Sequence, residues 1–417
     1  MQLYKHQEEA LKLTEYNNKC AYYLDMGLGK TFVGSEKLIN LGSNTNLLIC
    51  QKSKINDWVY HFKTYYPDMG IINGTKKLSE GIEYFKIVEV PFIVVINYEL
   101  AFRRKELLDL KDFTLMLDES SMIQNEKAKR SKFVLSLNPK NVILLSGTPC
   151  SGKYEQLYSQ IKLLGWNISK DLYWKQYIDV EYKDIGGFPM KVVTGYKNVD
   201  RLKKKLRDYG AVFMMSDEVF DLPKQIDNVM KISTTREYRK FKKDSIISIS
   251  DDVELVGDTT LTKMLYERQL CSQYNKFKLE AFGDLINSTG DRLIVFYNFN
   301  EELDRLIELS RDRPISIVNG STKDLNNYEE HNNSITFVQY QAGAMGLNLQ
   351  KCNKIVYFSL TLSCELFMQS KKRIHRIGQE NTCFYYYMIC RNSVEENIYK
   401  SLQSGVDYTN NLFEKGN

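Results

Sequence analysis

Two hydrophobic periods divide this chain into alternating elements. Unbroken apolar runs recur at Ala21–Leu24, Asn46–Cys50, Phe92–Asn97, Phe113–Leu117 and Asn141–Leu145. Their length and lack of polar alternation predict strands buried on both faces. Between them the spacing turns helical. Leu3–Gln7 opens a short amphipathic segment to Leu13, Thr31–Leu41 reads as a helix, and Ile55, Trp58, Val59 and Phe62 fall on one face of another. Strands separated by helices predict a parallel sheet with helices on both sides. The pattern returns after Leu261, a helix start, with strands at Leu293–Tyr297, Ile315–Val318, Ile335–Gln339, Lys354–Phe358 and Phe384–Cys390 and a closing helix over Ser393–Leu402. A chain of 417 residues exceeds one core. The expected division is 1–225 and 226–417, with Leu222-Pro223 ending the first part. Gln176–Lys183 and Met190–Tyr196 flank Gly186-Gly187 and predict a β-hairpin, inside an insertion over about residues 165–215.

Composition narrows the class. No apolar run is long enough to span a bilayer, and the opening MQLYKHQEEALKL lacks the apolar core of a secretion signal. Eight cysteines lie far apart without a CxxC pair, which argues against zinc and disulfides and for a reducing cytoplasm. The net charge of +5 permits a polyanionic partner without demanding one. Abundant Asn and Lys in a chain of this size suit a bacterial or phage protein.

The polar residues that matter follow the strands. Ala21–Leu24 runs into Asp25-Met26-Gly27-Leu28-Gly29-Lys30-Thr31, and a helix leads out. Glycines allow close backbone approach, and amides at a helix start favour an anion. In such a loop Lys30 reaches the β- and γ-phosphates of a nucleotide and Thr31 offers its hydroxyl to Mg²⁺. The match is to the GKT end only, since Leu24 stands where the full pattern has glycine. Phe113–Leu117 ends in Asp118-Glu119: one carboxylate to hold Mg²⁺, one to orient and deprotonate water. Asn141–Leu145 ends in Ser146-Gly147-Thr148-Pro149. All three polar segments stand at carboxyl ends of strands, where ligands bind in such sheets. Gln7, shortly before the loop, has an amide suited to reading an adenine edge.

DMGLGKT, LDES and LLSGTP, in this order, resemble motifs I, II and III of the superfamily-two helicase-like ATPases, and most closely those of the Swi/Snf-type DNA translocases. ICQKSKINDWVYHF is similar to their motif Ia block and VVINYEL to the block after it. In the second half LIVFYNFNEELDRL resembles motif IV, AGAMGLNLQKCNKIVYF motif V and QSKKRIHRIGQ motif VI. The likeness is weakest at about 165–260. Ser121 stands where the family often has histidine in motif II, and Lys372 where motif VI often has glycine.

The resemblance implies two RecA-like parallel-sheet lobes with an ATP cleft between them, the first carrying motifs I, Ia, II and III and the second motifs IV, V and VI. It implies ATP and Mg²⁺ as cofactors, held by Gln7, Asp25, Met26, Gly27, Leu28, Gly29, Lys30, Thr31 and Gly346, with Thr31 and Asp118 at the metal. Lys30, Glu119, Arg373 and Arg376 are the implied catalytic residues. Arg373 and Arg376 are three apart, so on a helix both project from one face. As arginine fingers they would meet charge that develops on the γ-phosphate. The implied partner is duplex DNA, tracked by its phosphates without regard to sequence, and the chain is expected to act as a monomer. Two lysine- and arginine-rich stretches, Lys203, Lys204, Lys205 and Arg207, then Arg236, Arg239, Lys240, Lys242 and Lys243, are candidates for phosphate contact. A strand-separating DNA or RNA helicase, and a non-catalytic module using nucleotide as a structural ligand, stay open as alternatives.

Overall fold

The computed structural model describes residues 2–185, 188–250, 253–343 and 347–414. It falls into two compact units, Met1–Phe220 with Asp407–Asn417, and Asp221–Val406.

The first unit is built on β1 (Lys19–Leu24), β2 (Thr45–Cys50), β3 (Gly70–Asn73), β4 (Phe92–Asn97), β5 (Thr114–Asp118), β6 (Asn141–Ser146) and, after a hairpin of β7 (Ile178–Ile185) and β8 (Phe188–Tyr196), β9 (Ala211–Met214). The seven strands other than the hairpin form a parallel sheet in the order β3-β4-β2-β5-β6-β1-β9. Successive residues of each strand point to opposite faces, and both faces are covered. Tyr23, Leu47 and Leu117 enter one buried cluster, while Tyr22, Leu48 and Met116 enter the other. This two-sided burial is why the strands read as solid apolar runs. The order sets β5, β6 and β1 side by side, so the segments that follow them share one sheet end. Helices α1 (Lys5–Leu13), α2 (Lys30–Asn40) and α3 (Ile55–Tyr65) flank that end.

The predicted hairpin is present as antiparallel β7 and β8, and its Gly186-Gly187 turn lies outside the described residues. The closing helix runs further than the sequence suggested, Val394–Phe413. Residues from Asp407 group with the first unit, where the sequence reading had run the second lobe to its end. There Tyr154 Oη donates to the Tyr408 carbonyl at 2.8 Å, Arg207 Nη2 donates to the carbonyls of Phe413 and Glu414 at 3.2 and 3.1 Å, and Phe413 sets its edge against Phe213.

The second unit holds β10 (Gln225–Ile232), a hairpin of β11 (Ile246–Ser250) and β12 (Val253–Val256) absent from the sequence reading, β13 (Leu293–Tyr297), β14 (Ile315–Val318), β15 (Lys323–Asp324), β16 (Ile335–Gln339), β17 (Lys354–Tyr357) and β18 (Cys383–Cys390). Its sheet runs β10-β18-β17-β13-β16-β14-β15 and is parallel except where β15 turns back on β14. Its core is rich in tyrosine, with Tyr357 stacked on Tyr387 at 5.0 Å. A buried ion pair, Lys278 Nζ to Glu395 Oε1 at 2.6 Å, ties the helix Lys276–Asn287 to the start of the closing helix. The same Lys278 ammonium neutralises Glu395 beside Cys271 and Cys390, so this buried trio has its cation already. None of the eight cysteines forms a disulfide.

Candidate functional site

The loop after β1 is held from three sides within the first unit. Gly27 and Gly29 take the left-handed backbone, φ +87° and +74°, that side chains disfavour. Gly29 also has no room for a Cβ, which would stand 2.1 Å from Gln7 Nε2. From α1, His6 Nε2 lies 3.0 Å from the Leu28 carbonyl, and Gln7 Nε2 donates to that same oxygen at 3.2 Å. Gln7 Oε1 accepts from the Tyr4 amide at 2.9 Å, so this side chain clamps the start of α1 to the loop. On the other side the Asp25 carboxylate accepts from the Met26 amide at 2.8 Å and from Ser216 Oγ at 2.5 Å. Lys30 Nζ donates to the Leu24 carbonyl at 2.9 Å, which sets its ammonium over the strand end.

The neighbouring strand ends complete the picture. β5 stops because Glu119 enters the left-handed region, φ +51°. That conformation costs about 1 kcal/mol or more for a residue with a side chain, and it persists where surroundings enforce it. Here Tyr98 Oη donates to the Asp118 carbonyl at 2.9 Å, and the Met122 amide caps the Glu119 carbonyl at 2.9 Å. The kink directs the Glu119 carboxylate to Ser146 Oγ, 3.5 Å away at the end of β6. One residue on, a Cβ at Gly147 would lie 3.3 Å from Lys30 Nζ. The three segments singled out in the sequence, 25–31, 118–119 and 146–149, are thus adjacent. Burial pushes the Asp118 carboxyl up, opposed by the Trp58 indole N–H and the charge of Lys30. A cation beside it would offset that cost. Asp118 and Thr31 offer only oxygen atoms, the donor set of a hard divalent ion.

Several side-chain contacts that position the site were not legible in the sequence. Trp58, read from the sequence as packing, donates its indole N–H to Asp118 Oδ2 at 2.8 Å. Gln160, buried, takes Ser120 Oγ on its Oε1 at 2.7 Å and donates Nε2 to the Pro149 carbonyl at 2.7 Å. This amide connects the turn after Glu119, which holds Ser121 where the family often has histidine, to the SGTP segment. His61 is buried, and burial pushes its ring down to about 4, so it is neutral at pH 7.

In the second unit the arginine expectation needs one correction. Arg373 and Arg376 do not stand on a helix, because the helix Cys364–Lys371 ends before them and the chain turns over residues 372–378. Buried Ile374 and His375 fill the inside of the turn, and Gly378 takes φ +90°. Gln379 Nε2 donates to the carbonyls of Gln350 and Cys352 at 3.0 and 2.9 Å, and Arg373 Nη1 to the Leu347 carbonyl at 3.3 Å. Motif V and motif VI are therefore stitched together. Arg373 is buried and Arg376 half-buried, with burial lowering the latter's pKa. Gly346 lies outside the described residues.

The two basic stretches also part company. Lys203 is buried near Asp200 and Glu414, Lys205 lies 3.6 Å from Asp208, and Arg207 holds the carbonyls of Phe413 and Glu414. Those charges serve the fold. On the helix Arg236–Asp244, by contrast, Tyr238 and Phe241 face the core while Arg236, Arg239, Lys240, Lys242 and Lys243 are exposed.

The SNF2-related domain matches residues 6–276 and the helicase conserved C-terminal domain residues 277–378. The chain is similar to the ISWI chromatin-remodeling complex ATPase ISW1 of Saccharomyces cerevisiae, 24% identical over 92% of this chain and 38% of that protein. It is also similar to a putative ATP-dependent helicase/translocase, YwqA, of Bacillus subtilis, 22% identical over 94% of this chain and 46% of that one. It therefore spans less than half the length of these relatives. A solved SWI2/SNF2 ATPase core of Sulfolobus solfataricus in complex with dsDNA aligns over 99% of this chain and 94% of that chain, with 18% identity and a TM-score of 0.46. No described helix is long and apolar enough to cross a membrane.

Proposed function

The chain belongs to the SNF2-related domain family, and from that premise we propose that it hydrolyses ATP and is the motor of a translocase that follows duplex DNA by its phosphates. The observation that carries the hydrolytic part is the adjacency of the Lys30 loop, the Glu119 carboxylate and the Ser146-Gly147 turn at one sheet end. The Met26 amide is taken by the Asp25 carboxylate, so the amides of Gly27 and Gly29, with Lys30, cradle the phosphates. Gln7, beyond its bonds to Tyr4 and Leu28, keeps one amide hydrogen and one lone pair for an adenine edge. Asp25 supports the loop through Ser216 and its carboxylate does not itself hold phosphate. Asp118 and Thr31 would hold Mg²⁺, which would neutralise phosphate charge. Glu119 orients the attacking water and takes its proton. Arg373 and Arg376 supply the positive charge that the γ-phosphate meets as the bond breaks.

The DNA part rests on the exposed basic face of the helix Arg236–Asp244 and on the naming of the relatives as a chromatin-remodeling ATPase and a putative helicase/translocase. Lysine and arginine on phosphate bind without reading sequence. ATP can drive motion only through different affinities of the chain for its partner in the nucleotide states. Displacement of a third strand from a triplex-bearing duplex tests this reading. We expect ATP-dependent displacement with no separation of a forked duplex. Unwinding of the fork in place of displacement would move the chain to the helicase class.

A further inference from the structure

We infer that Trp58 is a positioning residue for the metal carboxylate: its indole N–H fixes the Asp118 side chain in the rotamer that presents an oxygen to the divalent ion of the bound nucleotide. The inference rests on the proposed metal role of Asp118.

The contact is short and direct, Nε1 to Oδ2 at 2.8 Å, between residues on α3 and at the end of β5. An indole N–H only donates. It therefore selects the ionised carboxylate, occupies one of its lone pairs and leaves others for a cation. Trp58 has no freedom to follow a wandering partner, being 2% exposed. Phe62 stacks beside it at 5.9 Å and 24°, and His61 meets it edge-on at 5.7 Å and 81°. The backbone of Asp118 is pinned separately, by Tyr98 Oη on its carbonyl. With main chain and one side-chain oxygen both held, the carboxylate has a single orientation.

The same helix reaches the other proposed ligand. His61 Nε2 lies 2.9 Å from Ser35 Oγ, and Ser35 Oγ donates to the Thr31 carbonyl at 2.9 Å. A serine hydroxyl has one hydrogen, so when Ser35 donates it to Thr31 the His61 Nε2 carries the proton and donates to Ser35. One turn of α3 thus bears both the donor to Asp118 and the link to the start of α2, where Thr31 stands. Packing alone would place an aromatic ring at position 58. It would not require a nitrogen at hydrogen-bond distance from a carboxylate.

The test uses Mn²⁺ as the probe on the full chain in the presence of ADP, with free Mn²⁺ followed by electron paramagnetic resonance. Trp58→Phe keeps a ring and removes the donor. Outer-shell partners of metal ligands change affinity by about tenfold or more. We expect Mn²⁺ to bind on the order of tenfold more weakly to Trp58→Phe, with ADP affinity in EDTA unchanged. Asp118→Asn should weaken Mn²⁺ binding further still. Unchanged Mn²⁺ affinity in Trp58→Phe, with the Asp118→Asn loss intact, would overturn the inference and leave the metal role standing. Unchanged affinity in Asp118→Asn would remove the metal role itself. Should Trp58→Phe fail to fold, β-(3-benzothienyl)alanine at position 58 supplies the bicyclic shape without the N–H, and the same two outcomes decide.

Discussion

Glu119→Gln is expected to abolish multiple-turnover phosphate release while ATP still binds. The substitution keeps the size of the side chain and its contact range to Ser146 Oγ, 3.5 Å in the native chain, but removes the base. General-base catalysis contributes ~10²–10⁴-fold. A carboxamide cannot accept the water proton, so the loss should fall entirely in kcat. The left-handed turn at Glu119 is held through main-chain carbonyls by Tyr98 and Met122, contacts that the substitution keeps, so the fold should survive. Nucleotide affinity measured with a fluorescent ATP analogue, alongside phosphate release, checks both halves. Residual turnover within a factor of a few of wild type would place the base elsewhere.

Arg376→Ala carries the second large effect. Positive charge delivered to the γ-phosphate in phosphoryl transfer is worth ~10³–10⁵ in rate, and Arg376 is only half-buried in its turn, unlike Arg373. We expect kcat to fall by at least ~10³ with the melting temperature within a few degrees of wild type. Arg373→Ala should be as inactive and also less stable, because Arg373 is buried and donates to the Leu347 carbonyl. Losing a charged partner to a buried acceptor costs about 1–3 kcal/mol. Steady-state kinetics with thermal melts separates the two arginines. Equal melting temperatures together with unimpaired turnover would deny both a part in hydrolysis.

Much of this architecture was written in local pattern. The strands were legible because each is buried on both faces, as Tyr22 and Tyr23 or Leu47 and Leu48 show by entering opposite clusters. The nucleotide loop was legible because its chemistry is carried by contiguous residues. What local pattern could not show are contacts between distant positions. Trp58 and Asp118 are 60 residues apart, Ser120 and Gln160 are 40, Asp25 and Ser216 are 191. None of these pairs has a spacing that announces it. The arginine pair was misplaced for a different reason. A spacing of three suits a helix, yet Ile374, His375 and Gln379 fold inward and Gly378 takes a backbone that no helix has. Charge was similarly misleading around Lys203 and Arg207, because net charge does not reveal which cations are spent on the Glu414 carboxylate and on the carbonyls of Phe413 and Glu414.

The central claim is that hydrolysis by this chain is coupled to duplex DNA. Phosphate release from the full chain, measured against duplex DNA, single-stranded DNA and RNA at two salt concentrations, tests it most directly. Turnover should rise strongly with duplex alone, and half-saturation should shift steeply with salt as phosphate contacts are screened. Turnover that is the same with every nucleic acid and with none would contradict it.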